Sequence, residues 1–475
     1  MNDLPEYDRH DALGLAALVR EKQVTAGELL EVAIARVEEH NPGRNAVVTK
    51  LYDEAWAAIA DGLPDGPFAG VPFLLKDLGV GYKGTVTTGG SRFFADARAD
   101  HDSEVVRRYK ASGLVIFGKT NTPEFGLATS TEPRLFGPAR NPWKPDHSAG
   151  GSSGGAAVAV AAGMVPAAHA SDGGGSIRIP ASACGLFGMK PTRARVPAGP
   201  DKGESWNGAG VNHAITRSVR DSAALLDAAA GPETGDPYCA PPSLRPYLEE
   251  VGIDPGRLRI AVTTTAWNGQ PVGAECRAAV EAAAKLCEDL GHHIAEASPA
   301  FDAARLIAAN QVIISGQVRA ALDARGKSLG RQAQPGDVEE ITWRMATLGK
   351  AASAADYAAA IDVLHATGRA IGSFFRDYDV LLTPTMCDPP YPLGVLDMMT
   401  DDVARFNQAI LATIAFTSPF NAAGNPAMSM PLHWSADGLP VGVQFAGRFG
   451  DEATLFRLAA QIEATRPWAG RRPAL

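Results

Sequence analysis

The chain has 475 residues, of which 45% are hydrophobic and 20% are charged, as in an ordinary globular protein. Its 44 basic and 53 acidic residues give a net charge of -9, and because no lysine- or arginine-rich run is present, nucleic acid is not an expected partner. No apolar stretch approaches ~18 residues and the N-terminal segment is acidic, so we expect no membrane span, no secretion signal and a cytoplasmic location.

Helices and strands alternate along the predicted chain, which indicates an α/β fold. In the first half we predict two helices within 10–39, a strand at 71–75, a helix at 104–113, a strand at 114–117, a fully buried helix at 156–164 and a strand at 165–170. In the second half we predict a helix at 222–230, a strand at 258–262, a helix at 275–290, a strand at 293–296, mostly helix over 301–375, a strand at 380–385, a hairpin of 427–433 with 441–445, and a helix at 452–463.

Two short patterns match well-known motifs, but their surroundings argue against both. Residues 113–120 fit the phosphate-loop pattern G-x-x-x-x-G-K-[ST], yet 114–117 is a β-branched and aromatic run that predicts a buried strand instead of exposed amides. Residues 151–155 fit the nucleophile elbow G-x-S-x-G, but no strand precedes them, and His433 is the only late histidine for a triad. We therefore expect neither an ATP site nor an α/β-hydrolase.

Two segments rich in serine and glycine contain the candidate catalytic residues. The segment 150–155 contains Ser152, and the segment 171–180 contains Ser176 after three glycines. Consecutive glycines cost backbone entropy, so they indicate a place where backbone amides approach another molecule closely. The candidate amide donors to a substrate oxyanion are Gly173, Gly174, Gly175 and Ser176.

Charged residues near these segments complete a candidate reaction centre. Asp172 and Arg178 flank the glycine run and are expected to brace it. Lys76 follows the apolar run 71–75, where a low-polarity environment would destabilise its ammonium form. Lys76 alone would more often be a strand-end lysine that reaches solvent. Together with Ser152 and Ser176, however, it offers a base, a relay hydroxyl and a nucleophile.

The chain resembles the amidase signature family of serine hydrolases over nearly its whole length. The resemblance rests on the segments 70–77, 118–124, 150–155, 172–181, 184–192 and 438–444. By this resemblance Lys76 is the base, Ser152 a relay serine whose peptide bond from Gly151 is cis, and Ser176 the acylated nucleophile. The same resemblance implies that Ser171, Asp172 and Arg178 brace the loop. Within the family, the segments 140–143, 418–421 and 466–473 are most similar to bacterial hydrolases of the 6-aminohexanoate cyclic dimer, a nylon oligomer.

The resemblance implies one α/β/α domain over 1–475 with a central mixed sheet and no cofactor or metal. We expect a signature core at 65–225, a variable and mostly helical substrate-side region at 240–375, and a return to the core sheet at 376–475. Substrate identity is expected to lie in the loops 125–145, 200–215 and 305–345 and in the stretch 385–420. The candidate substrate contacts are Thr129, Ser130 and Ile177.

One residue departs from the family pattern. The family commonly has a larger residue where this chain has Gly173, so we expect a wider pocket or a more mobile loop beside the oxyanion hole.

The expected activity is hydrolysis of small or oligomeric amides through an acyl-enzyme. A carbamate hydrolase would use the same catalytic residues and stays open. The amidase-type component of a transfer-RNA-dependent amidotransferase, which would need partner proteins, is disfavoured by the acidic charge. A nucleotide-binding protein that uses 113–120 is the remaining alternative. We expect a small-molecule substrate, and the sequence leaves a homodimer open.

Overall fold

The computed structural model describes residues 6–475 and contains one mixed sheet of eleven strands. The strands are β1 (Val47–Lys50), β2 (Pro72–Lys76), β3 (Val115–Thr120), β4 (Ala167–Asp172), β5 (Phe187–Lys190), β6 (Val211–Thr216), β7 (Arg259–Val262), β8 (His293–Glu296), β9 (Val380–Pro384), β10 (Ala427–Trp434) and β11 (Pro440–Gly447). Their order across the sheet is β1-β3-β2-β4-β6-β5-β10-β11-β9-β7-β8. β2 is parallel to β3 and β4, β7 is parallel to β8 and β9, and the other pairs are antiparallel. The predicted α/β class with a central mixed sheet is confirmed.

Helices connect and cover these strands. Within residues 6–475 they are α1 (Glu6–Arg9), α2 (Ala12–Arg20), α3 (Ala26–Arg44), α4 (Tyr52–Ala60), α5 (Glu104–Ala111), α6 (Gly154–Ala161), α7 (Arg178–Cys184), α8 (Val219–Ala229), α9 (Ala274–Asp289), α10 (Ala303–Ser328), α11 (Glu340–Ala351), α12 (Ala354–Phe374), α13 (Val403–Thr413), α14 (Ser418–Ala423) and α15 (Glu452–Thr465). None of the helices in this range is long and apolar enough to span a bilayer.

Local sequence explains several of these elements. A capping box is present at the start of α3, where Thr25 Oγ1 accepts a hydrogen bond from the Glu28 amide at 3.1 Å. Because α6 consists only of glycine, alanine and valine, it has no polar face, and every one of its residues is buried as predicted. β2 and β3 are also buried along their whole length, which places Lys76 inside the protein.

Two central strands contradict the sequence prediction. β6 (Val211–Thr216) begins within 200–215, which we predicted as a loop, and β5 (Phe187–Lys190) was not predicted. The segment 305–345, which we named among the substrate loops, is mostly α10, in agreement with the helix predicted over 301–375. β5 contains a glycine and a buried lysine, and β6 contains an asparagine and a histidine, so neither shows the apolar pattern of an interior strand.

Candidate active site

Lys76 is the last residue of β2, and its side chain has no exposed surface. Its Nζ lies 2.7 Å from Ser152 Oγ and 3.0 Å from Ser171 Oγ. Burial lowers the pKa of Lys76 from 10.5 to about 7, and the nearby Asp172 carboxylate opposes only part of that shift. A substantial fraction of Lys76 is therefore neutral near pH 7 and able to accept a proton.

Ser152 lies in the turn that leads into α6, where it faces Lys76. The peptide bond between Gly151 and Ser152 is cis, as the family resemblance implies. The amide of Ser153 donates to the carbonyl oxygen of Ser176 at 3.3 Å, so the two serine-rich segments lie against each other. The structure thus brings Lys76, Ser152 and the segment of Ser176 into one buried centre.

The glycine run connects β4 to α7, and its amides have different partners. The amide of Gly175 donates to Asp172 Oδ1 at 2.7 Å, so it is not free to bind an oxyanion, and this corrects our assignment of Gly175. The amides of Gly173, Gly174 and Ser176 have no acceptor within residues 6–475. These three amides are the remaining candidate donors to a substrate oxyanion.

Asp172 and Arg178 form a fully buried ion pair beneath the run. Arg178 Nε and Nη2 donate to the two Asp172 carboxylate oxygens at 3.0 and 2.9 Å. Asp172 also accepts from the amides of Gly175 and Ile177. Burial alone would raise the pKa of Asp172, but the charge and hydrogen bonds of Arg178 hold that pKa well below its usual range. The bracing that we predicted for this pair is therefore present as direct contacts with the loop backbone.

Three residues of this network were missed by sequence reasoning. The remaining Arg178 donors reach the Thr417 carbonyl oxygen, Gln444 Oε1 and Asn421 Oδ1 at 2.9, 2.7 and 2.6 Å. Thr417 Oγ1 in turn donates to the Gly174 carbonyl oxygen at 2.6 Å. The sequence pointed to these residues only indirectly, because Gln444 and Asn421 lie in segments that resemble the family.

We expect Asp172→Ala to lower the free energy of unfolding by about 3–5 kcal/mol, because the Arg178 guanidinium would stay buried without its counter-ion. Urea denaturation followed by circular dichroism measures this change. The matched control is Asp289→Ala, which removes a surface ion pair with Lys285 and should leave the free energy of unfolding unchanged within error. Equal effects of the two variants would contradict the bracing role of Asp172.

A cavity of about 300 Å³ opens beside the nucleophile. Ser176, Gly173 and Gly174 line one side of it. Its polar side chains are hydroxyls and amides, and no aspartate, glutamate, lysine, arginine or histidine lines it anywhere in residues 6–475. The other walls are mostly apolar or aromatic, and they include Leu127, Trp206, Trp267, Phe301, Ile314, Met345, Phe406 and Ile410.

The three predicted substrate contacts differ in their position relative to the cavity. Thr129 lines the cavity, although its hydroxyl lies 2.7 Å from Thr413 Oγ1. Ser130 is buried behind Gly151 and donates to the Leu396 carbonyl oxygen at 3.4 Å. Ile177 is also fully buried. Ser130 and Ile177 do not line the cavity, so Thr129 is the one of the three predicted contacts that the structure places there.

The two rejected motifs are explained by their surroundings. The phosphate-loop pattern ends in β3, where Lys119 Nζ donates to the Val86 carbonyl oxygen and Thr87 Oγ1 at 2.6 and 2.7 Å. His433 lies on β10 and pairs with Glu275 at 3.2 Å. These contacts give structural roles to the residues that the two alternative functions would have used.

The fold and this arrangement agree with comparisons to known proteins. Residues 28–456 match the family model described as Amidase, so the chain belongs to the amidase signature family. It is an amide-cleaving hydrolase. It is 40% identical over 481 aligned residues to a 6-aminohexanoate-cyclic-dimer hydrolase of Paenarthrobacter ureafaciens, covering 98% of this chain and 96% of that protein.

Solved structures show the same similarity. A 6-aminohexanoate cyclic dimer hydrolase complexed with substrate has a TM-score of 0.94 and 38% identity, with 98% of this chain and 99% of that chain covered. A bacterial aryl acylamidase of the amidase signature family has a TM-score of 0.89 and 29% identity, with 97% and 99% covered.

Proposed function

We propose that this chain hydrolyses uncharged, largely apolar amides through an acyl-enzyme on Ser176. The observation that carries the proposal is the cavity, in which Ser176 lies beside mostly apolar walls that include no ionisable side chain from residues 6–475. An unpaired carboxylate or ammonium group would lose its hydration in such a cavity without gaining a counter-ion. A cyclic oligoamide or an anilide has no such group, and both classes occur among the names of the similar proteins.

The proposed reaction moves one proton along the buried centre. Neutral Lys76 accepts the proton of Ser152, and Ser152 accepts that of Ser176, while Ser176 Oγ forms a bond to the amide carbonyl carbon. The amides of Gly173, Gly174 and Ser176 stabilise the oxyanion. The relay then returns the proton to the nitrogen, the C–N bond breaks and the amine leaves. Water attacks the acyl-enzyme by the same proton transfers and releases the acid.

We expect a preference of at least about 100-fold in kcat/KM for the 6-aminohexanoate cyclic dimer over the linear dimer, because the linear form carries an ammonium and a carboxylate. A hydrolysis panel that also contains neutral anilides, carbamates and charged anilides measures this preference. N-acetylation and methyl esterification of the linear dimer provide the matched control, since they remove both charges and should restore much of the rate. Equal rates for charged and uncharged amides would contradict the proposal.

Two other activities can be compared in the same panel. A carbamate hydrolase would use every catalytic residue named above, so only the relative rates on carbamates and amides separate the two. An amidotransferase component would have to bind the charged ends of glutamine, and none of the described residues that line the cavity is an ionic partner for them. The cytoplasmic location, the homodimer and the division into three regions remain predictions from the sequence.

A further inference from the structure

Gly173 does not leave empty space beside the oxyanion hole. A Cβ added at Gly173 would lie 2.6 Å from both Cε3 and Cζ3 of Trp206. The six-membered ring of the indole therefore covers the Cα of Gly173, where a larger residue would have its side chain. Our expectation of a wider pocket is corrected, because Trp206 fills that space. The neighbouring Gly174 differs, since a Cβ added there meets no atom of residues 6–475 within 4 Å.

The loop that carries Trp206 is held by several polar contacts. Trp206 and Asn207 have φ values of 49° and 52°, in the left-handed region, and the turn is closed by a hydrogen bond from the Gly210 amide to the Ser205 carbonyl oxygen at 3.0 Å. The Trp206 amide donates to Gln317 Oε1 of α10 at 3.3 Å. These contacts direct the half-buried indole toward Gly173.

The same loop is joined to the bracing network of the nucleophile. Asn421 Nδ2 lies within hydrogen-bond distance of the Ala209 carbonyl oxygen at 3.0 Å and of Asp172 Oδ1 at 2.8 Å. Trp206 is thus positioned relative to the glycine run through Asn421 as well as by its contact with Gly173. Its indole forms a wall of the cavity directly beside the proposed oxyanion donors.

We propose that Trp206 determines substrate specificity by limiting the width of the cavity at the reacting carbonyl. The indole allows substrates that are unbranched at the atoms next to the scissile C–N bond and excludes those that are branched there. Gly173 and Trp206 act as a pair, because a side chain at 173 and the indole cannot occupy the same space. This inference rests on the proposed amide hydrolysis and adds the shape of the preferred substrate.

The test compares kcat/KM for butanoyl and 2-methylpropanoyl 4-nitroanilide in the wild type, Trp206→Ala, Gly173→Ala and the double variant. We expect Trp206→Ala to raise the branched-to-linear ratio by about 10- to 200-fold, the range for one carbon group in an apolar pocket. Gly173→Ala should reduce the rate on the linear substrate at least about tenfold, because the new methyl group displaces the indole. In the Trp206→Ala background the same change should have little effect.

The control is Trp56→Ala, which removes an exposed tryptophan outside the cavity and should leave the ratio unchanged. An unchanged ratio in a folded Trp206→Ala variant, or equal effects of Gly173→Ala with and without Trp206, would overturn the inference. If Trp206→Ala does not fold, the branched-to-linear ratio of kcat/KM is measured in Trp206→Leu instead, and the same outcomes decide. Absence of anilide and cyclic-amide hydrolysis in the wild type would instead overturn the proposed function itself, so the two failures are distinguishable.

Discussion

Ser176→Ala is expected to lower kcat for amide hydrolysis by on the order of 10⁶-fold, because the hydroxyl that would form the acyl-enzyme is removed while Lys76 and Ser152 remain. The side chain of Ser176 has no hydrogen-bond partner within residues 6–475, so the substitution should leave the unfolding temperature nearly unchanged. Steady-state rates on a neutral anilide and thermal denaturation measure the two effects.

A surface serine provides the control for this substitution. Ser373→Ala changes an exposed residue of α12 and should keep the full rate. Mass spectrometry of the enzyme quenched during turnover should show the acyl group on Ser176 in the wild type and in Ser373→Ala only. Full activity of Ser176→Ala, or an acyl group on another residue, would refute the proposed nucleophile.

Lys76→Met is expected to lower kcat/KM by about 10²- to 10⁴-fold, the usual contribution of a positioned general base. In the wild type, kcat/KM should fall about tenfold per pH unit below the Lys76 pKa of about 7, because only the neutral amine accepts a proton. Above that pH the rate should reach a plateau. The pH–rate profile on an uncharged substrate measures this decrease at low pH, the acidic limb of the profile. The acidic limb should be absent in Lys76→Met.

Lys190 supplies a sharp control because burial also lowers its pKa to about 7. Its Nζ donates to the Pro191 carbonyl oxygen at 2.8 Å and has no contact with Ser152. Lys190→Met should therefore keep the acidic limb at the same pH. A limb that disappears in Lys190→Met and persists in Lys76→Met would exclude Lys76 as the base.

Stability gives a second measurement of the Lys76 pKa. Because the pKa is lower in the folded state, the unfolded chain binds the additional proton between about pH 7 and the ordinary lysine value of 10.5. The contribution of Lys76 to stability therefore becomes more favourable as the pH rises through this window. The free energy of unfolding of Lys76→Met relative to the wild type should decrease correspondingly over the same interval.

The sequence was sufficient for those parts of the centre that local patterns encode. Lys76 ends an apolar run that forms β2. Ser176 follows three glycines that come directly after β4, and their lack of side chains indicated a site where backbone amides are accessible. The phosphate-loop match could be rejected on local evidence of the same kind, since 114–117 contains the residues of a buried strand. In these cases the deciding information lies in the residues adjacent to the site.

Contacts between distant segments could not be predicted in this way. Arg178 is 239 residues from Thr417 and 266 residues from Gln444, so no periodicity relates them. The space next to Gly173 is filled from another loop by Trp206, and the glycine alone suggested an opening. β5 was missed because a glycine interrupts its short apolar pattern and a buried lysine ends it.

The position of β10 and β11 has a consequence for synthesis on the ribosome. These strands are the last of the eleven to be synthesised, yet they occupy the seventh and eighth positions in the sheet. β10 pairs with β5 and β11 pairs with β9, so together they join the two parts of the sheet. Until residues 427–447 have been translated, the nascent sheet has two separate pieces with unpaired edges. Arg178 also lacks Gln444 during that interval. A ribosome-stalled chain without these strands would therefore be inactive and prone to edge-to-edge association.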